Sequence, residues 1–232
     1  EEKTNLVCST FTIFSDILYF TNVSSNISQI SKTTLDKLDS STAESVVNGI
    51  ASKPAIAQDN GVLYYTDAGK YLHKVDSSND TLIDQLTTDE TVVSLAVYSG
   101  ILYYTDTAET LYVYDLTTNE HLNSFEGGYS ALSVSDGYIY AVKNDSVRQY
   151  SPTDAAFTEF EICESSASPN RLSGASDTIL AGNKLFFADN GNKRISSCDT
   201  ETGEMQVFPI EIQADFIASD GDTVLAANAA EA

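Results

Sequence analysis

Few side chains in this sequence are of a type and spacing that could do chemistry. The densest set of oxygens is Asp189-Asn190-Gly191-Asn192, with Asn144-Asp145 as a second pair. Hard cations such as calcium take ligands of this kind, and the expected calcium ligands are Asp189, Asn190 and Asn192. The spacing is not that of an EF-hand loop, because the third acidic position and the later Glu are missing. Turn chemistry alone also accounts for Asp, Asn and Gly in such runs. His73 and His121 are the only two histidines. They fall in different strand-like segments, which is no arrangement for a shared site. There is no Gly-x-Ser-x-Gly elbow and no His placed to pair with a serine. A metal-dependent hydrolase or lyase would have to rest on Gln58, Gln213 and Asp215, a sparse ligand set. No catalytic residue is assigned, and the chain is read as a non-enzyme without a resident cofactor, calcium being the one exception considered.

Cys8, Cys163 and Cys198 make an odd count with no CxxC pair, so zinc and thioredoxin-type readings fail. A Cys163–Cys198 disulfide with Cys8 free is one of the pairings open to three cysteines. Four sequons, at Asn22, Asn26, Asn79 and Asn144, are glycosylation sites if the source is secretory and glycosylates them.

The formal net charge of −22 comes from 34 acidic and 12 basic residues. No basic patch can be assembled to displace phosphate counterions, which excludes nucleic acid. An anionic membrane surface is excluded for the same reason. A solubilising surface, cation binding and a salty habitat are the readings of the charge. No stretch reaches the roughly 18 apolar residues of a membrane span. The sequence opens on Glu1-Glu2-Lys3 with no signal-peptide pattern, which leaves a mature N-terminus or a boundary within a longer chain.

The elements that must position these residues come from a repeat. Gly61-Val-Leu-Tyr-Tyr-Thr-Asp67 recurs as Gly100-Ile-Leu-Tyr-Tyr-Thr-Asp106. Weaker copies end at Asn22, Lys143, Asp189 and Asn228, so the period is about 40 residues, that of a propeller or similar array. A short apolar run precedes each copy, and turn pairs such as Asn60-Gly61 and Ser99-Gly100 join run to motif as hairpins. A third and a fourth strand follow, at 71–76 and 81–86, 111–115 and 121–125, 147–150 and 157–160, and 194–199 and 205–209. Four short antiparallel strands per unit make a propeller blade. Residues 31–47 are the least regular stretch and are left as a short helix or a longer loop. Residues 164–176 form the longest polar loop.

The Leu-Tyr-Tyr-Thr-Asp motif resembles the YWTD repeat of low-density-lipoprotein-receptor-type six-bladed propellers, with Tyr where that family has Trp. The run Phe187-Ala-Asp-Asn-Gly-Asn-Lys-Arg-Ile195 resembles the related NHL repeat. Bacterial surface domains of unknown function with this type of propeller are similar too. The resemblance implies six blades around an axial channel and a non-catalytic role in binding. It also implies that the motif aspartates Asp67, Asp106 and Asp189 make structural hydrogen bonds.

The expected fold is therefore all-β: a single six-bladed β-propeller over 1–232 with four-stranded antiparallel blades. The repeat units are 5–53, 54–91, 92–128, 129–175, 176–211 and 212–232, and the last blade is incomplete. A longer chain, a two-stranded last blade, or strands supplied by another chain would each explain this, the last by strand addition to an open edge. The expected function is an extracellular or cell-surface module for protein interaction or structure, its partner being a protein or neighbouring subunit. The alternative is a carbohydrate- or calcium-dependent ligand-binding propeller. Carbohydrate or protein binding would use exposed aromatics and carboxylates on one propeller face, with Tyr71, Tyr98, Tyr129 and Asn170-Arg171 as candidates.

Overall fold

A computed structural model describes residues 10–14, 16–24, 27–37, 43–50, 54–68, 70–76, 79–87, 90–135, 138–144, 146–150, 159–163, 172–209, 214–219 and 224–227. Its elements are strands and short 3-10 turns. Blade 1 holds β1 (Phe11–Phe14), β2 (Ile17–Ser24), β3 (Ile27–Thr34) and β4 (Glu44–Ile50). Blade 2 holds β5 (Ile56–Asp59), β6 (Val62–Asp67), β7 (Tyr71–Asp76) and β8 (Asn79–Gln85). Blade 3 holds β9 (Val92–Tyr98), β10 (Ile101–Asp106), β11 (Leu111–Asp115) and β12 (Glu120–Phe125). Blade 4 holds β13 (Tyr129–Ser135), β14 (Tyr138–Lys143), β15 (Ser146–Tyr150) and β16 (Glu159–Cys163). Blade 5 holds β17 (Ala175–Ala181), β18 (Lys184–Asp189), β19 (Arg194–Asp199) and β20 (Met205–Phe208). A last sheet pairs only β21 (Phe216–Ser219) with β22 (Val224–Ala227).

Each sheet is an antiparallel meander in chain order. The innermost strands β1, β5, β9, β13, β17 and β21 pack side by side, and β21 closes back onto β1. The ring thus has six places. Five carry four-stranded blades and the sixth carries a two-stranded sheet. The six-blade expectation is corrected to five blades, because the sixth repeat supplies two paired strands within the described residues. Within the irregular 31–47 stretch the described residues form the end of β3, a 3-10 turn at Leu35–Lys37 and the start of β4.

Local chemistry explains the motif. Asn60 and Gly61 both have positive φ, as do Ser99 and Gly100, giving two-residue turns whose twist matches the flanking strands. In blades 1 and 2 the motif threonine then ties the second strand to the start of the first. Thr66 Oγ1 accepts from the Ala55 N–H at 3.1 Å, and Thr21 Oγ1 accepts from the Thr10 N–H at 2.9 Å. The apolar residues between turn and threonine are buried on both faces of the strand. In β10, Leu102 and Tyr104 pack with Leu72 and Leu86 of blade 2. Tyr103, from the opposite face, packs with Leu132 and Ile139 of blade 4. Alternation in a strand puts successive side chains on opposite faces. Here both faces meet a neighbouring blade, so the strand reads as almost continuously apolar.

Candidate functional site

The inner ring encloses an axial cavity of about 260 Å³. Asp177 is the one charged side chain among the residues that line it. It reaches the wall through a bulge. Ala175 pairs with Asp189 and Thr178 with Phe187, so Ser176 and Asp177 together stand opposite Ala188. Such an insertion re-aims a side chain at a strand end. Asp177 Oδ1 accepts from the Thr178 N–H and Oδ2 from the Ile217 N–H, both at 2.9 Å. No Lys, Arg or His among the described residues pairs with it. Desolvation pushes its carboxyl up to about 7, against the lowering by these two N–H donors.

A raised folded-state pKa means that the proton stabilises the fold. The stabilisation is complete below the usual carboxylate range and is lost as pH rises through about 7. Between pH 5 and pH 8 this should cost about 1–2 kcal/mol, given solvent in the channel. Titrating the melting temperature of the wild type and of Asp177→Asn over this range checks it. The wild type should lose more stability than the variant as pH rises from 5 to about 7, and equal slopes in the two proteins would rule the effect out.

The same bulge forms a seam with the two-stranded sheet. Ser176 Oγ donates to the Asp215 carbonyl at 2.7 Å, and Asn190 Nδ2 donates to Asp215 Oδ1 at 2.8 Å. Together with the Ile217 bond to Asp177, these contacts hold blade 5 to β21. Apolar packing supports them, since Ile217 and Ala214 lie against Ala188 and Ile195.

The motif aspartates lie outside the channel wall. Asp106 Oδ1 accepts from the Ala108 and Thr110 N–H groups and Oδ2 from the Tyr112 hydroxyl at 2.9 Å. Asp67 Oδ1 accepts from the Ala68 N–H. Asp189 is fully buried. Its Oδ2 accepts from Arg194 Nε at 2.7 Å and from Ser196 Oγ at 2.9 Å. Its Oδ1 accepts from the Ser173 N–H at 2.8 Å, and Asn192 Nδ2 lies 3.0 Å from each oxygen. Both oxygens of Asp189 are therefore turned toward donors of its own blade. Gly191 sits over Ser173, where a Cβ would collide with the Ser173 carbonyl.

The other candidates scatter. Gln58 lines the axial cavity, Asp215 belongs to the seam, and Gln213 lies outside the described residues. His73 stacks on Tyr65 with ring centroids 4.8 Å apart, and His121 meets Tyr112 edge-on in a different blade. Tyr71 is exposed, but Tyr129 is buried and bonded to the Tyr150 hydroxyl at 2.8 Å, so it is not a surface aromatic. Asn170-Arg171, Cys8, Asn26 and Asp145 lie outside the described residues. Asn22 is in β2, while Asn79 and Asn144 are exposed, at the start of β8 and in the turn before β15. Cys198 in β19 is disulfide-bonded and packs in one core with Val147. Val147 stands opposite Cys163 in the β15–β16 register. Tyrosine–carboxylate bonds complete the polar framework. Tyr114 OH donates across the blade 3–blade 2 boundary to Asp84 at 2.7 Å, and burial with this carboxylate holds the phenol above its usual range. Among the described residues no helix is long and apolar enough to cross a membrane.

No family model matches this chain. No curated protein matches it either. Solved structures do. A chain of the nidogen/laminin complex superposes with a TM-score of 0.72 at 12% identity, covering 90% of this chain and 83% of that one. The computationally designed protein Ika8 superposes with a TM-score of 0.64 at 13% identity, covering 94% of this chain and 67% of that one. At this identity the likenesses show a shared fold, the propeller arrangement described above.

Proposed function

We propose that this propeller is a non-catalytic protein-interaction or structural module of an extracellular or cell-surface assembly, and that its partner adds strands to the two-stranded sheet. The observation that carries this reading is β22. Among the described residues it is bonded to β21 alone, whereas the other five sheets run to four strands. An edge of this kind presents a row of backbone donors and acceptors, and an added strand gains affinity by satisfying them. The fold shared with a chain of the nidogen/laminin complex fits a module of this kind.

The disulfide of Cys198 supports placement outside the cytosol, since such bonds persist in oxidising compartments. Cys163 is its partner in this reading, because it faces Val147 in the register and Val147 shares the Cys198 core. Asp189, Asn190 and Asn192 are read as a structural clip rather than a calcium site, since Arg194 already supplies the cation for the carboxylate.

Hydrogen exchange at the β22 amides, read together with light scattering over a wide concentration range, tests the proposal. The expected result is fast exchange at Val224–Ala227 in the isolated protein, with protection gained on self-association or on binding a strand-donating partner. Slow exchange in a strict monomer would show that the edge is already covered and would remove the reading.

A further inference from the structure

We propose that the joint between blade 5 and the two-stranded sheet is a proton-dependent latch, in which Asp177 holds β21 tightly in mild acid and loosens it as pH rises to neutrality. The sixth place is the weak point of the ring. The joints among blades 1 to 5 each bring together two four-stranded sheets, whereas this place carries only β21 and β22 among the described residues. Units with few buried contacts open on their own, short of global unfolding. The sheet meets its two neighbours differently. Towards blade 1, Ala218 and Leu225 pack with Phe11, Ile13 and Phe20, an apolar contact. Towards blade 5, the apolar packing of Ile217 and Ala214 is joined by polar bonds. Asp177 Oδ2 accepts from the Ile217 N–H at 2.9 Å, and Ser176 Oγ donates to the Asp215 carbonyl at 2.7 Å. The first of these bonds runs from an ionisable side chain of blade 5 to the backbone of β21. Ile217 is only 3% exposed, so its amide reports directly on whether the joint is closed.

The other ionisable groups around β17 are engaged elsewhere. β17 packs against β13, β14, β18, β21 and the 3-10 turn Asn190–Asn192, and the last two carry no titratable side chain. On β13 and β14, Lys143 donates to the Tyr129 hydroxyl, Tyr140 accepts from Gln149, and Tyr138 is exposed. On β18, Asp189 is paired with Arg194, and Lys184 stands opposite Ala181 at the far end of β17. Asp215, just before β21, accepts from Asn190. Burial raises the Asp177 carboxyl to about 7, over the lowering by its two N–H donors. Opening the joint removes the Ile217 donor and admits water, which returns the carboxyl to the usual carboxylate range. The closed joint therefore holds a proton that the open joint releases. Its contribution to closure is fully present below the usual carboxylate range and is lost as pH rises through about 7. The latch is made by blade 5 and β21 alone, so it does not rest on what is added to the β22 edge.

Hydrogen exchange at the Ile217 amide, expressed as protection relative to the intrinsic rate at each pH, tests the latch, with the amides of β9 as reference. Ile217 should be less protected than β9 at every pH, and its protection should fall about tenfold between pH 5 and pH 8. Asp177→Asn keeps an acceptor for the Ile217 N–H but cannot ionise, and should abolish the fall. Asp215→Asn, which removes the other carboxylate of the joint, should leave the fall in place. Ser176→Ala should lower protection by the same factor at all pH values. In the wild type alone, the Ile217 amide resonance should titrate with a midpoint near about 7. Equal protection of Ile217 and β9 would mean that the joint opens only with the whole fold. That result, a fall of equal size in wild type and Asp177→Asn, or no titration of the Ile217 resonance between pH 5 and pH 8 would each overturn the proposal.

Discussion

Replacing Asp189 by alanine should lower the stability of the propeller by about 3–5 kcal/mol, the usual cost of removing one partner of a buried ion pair. The magnitude follows from what is left behind. Arg194, whose side chain is 18% exposed, would keep a largely buried guanidinium without its carboxylate. Ser196, Asn192 and the Ser173 N–H would each lose an acceptor in the same place. An orphaned buried donor costs about 1–3 kcal/mol, so the losses do not simply add but point the same way. Asp106 is the control. It is buried too, and its partners include two backbone N–H groups and a tyrosine hydroxyl. Asp106→Ala takes the acceptor from these neutral donors and should cost roughly 1–3 kcal/mol. Denaturant midpoints for both variants measure the difference. Asp189→Ala no more destabilising than Asp106→Ala would show that the Arg194 pair contributes nothing.

The contrast between these aspartates and Asp177 shows what a one-dimensional pattern reveals. The motif aspartates recur at the end of a repeated run, so their position in the blade is visible from spacing. Four-strand units, Asn-Gly and Ser-Gly turns and the third strands at 71–76, 111–115 and 194–199 are visible for the same reason: each is a local signal with a period. No carboxylate stands at the place of Asp177 in blades 3 and 4, where a similar bulge precedes Ser94 and Ala131. Asp177 faces the axis because a bulge inserts one residue at the start of β17, and a bulge depends on the partner strand. The only sequence signal is a carboxylate directly before the apolar run Thr178–Ala181. Tyr129 misleads in the opposite direction. It stands beside Gly127-Gly128 and reads as a loop aromatic, but its hydroxyl finds Tyr150 and Lys143 inside blade 4. That contact spans residues far apart in sequence, which patterning over a window cannot supply. The blade count differs at the last repeat alone: the motif counts six inner hairpins, and the described residues there carry two strands.

Reduction of the Cys198 disulfide should destabilise the protein by about 2–4 kcal/mol. With Cys163 as partner, the bond closes a loop of about 35 residues, and the loss of loop-closure restriction in the unfolded chain alone gives about 4 kcal/mol as a ceiling. Strain released in the native state would lower that figure. The location matters as much as the size. Cys163 sits on the outermost strand of blade 4 and Cys198 on the third strand of blade 5, so the bond joins two blades at their outer part. At the axis the same two blades are already held by β13 packed against β17. Losing the bond should therefore free β16 first and leave the inner ring standing. Hydrogen exchange under reducing and oxidising conditions resolves this, with new exchange expected in β16 and β19 before β17. Cys198→Ser and Cys163→Ser should each reproduce the reduced behaviour, while Cys8→Ser should leave the denaturant midpoint unchanged. A loss of stability in Cys8→Ser equal to that in Cys198→Ser would instead make Cys8 the partner and move the crosslink from the blade 4–blade 5 boundary to the start of blade 1.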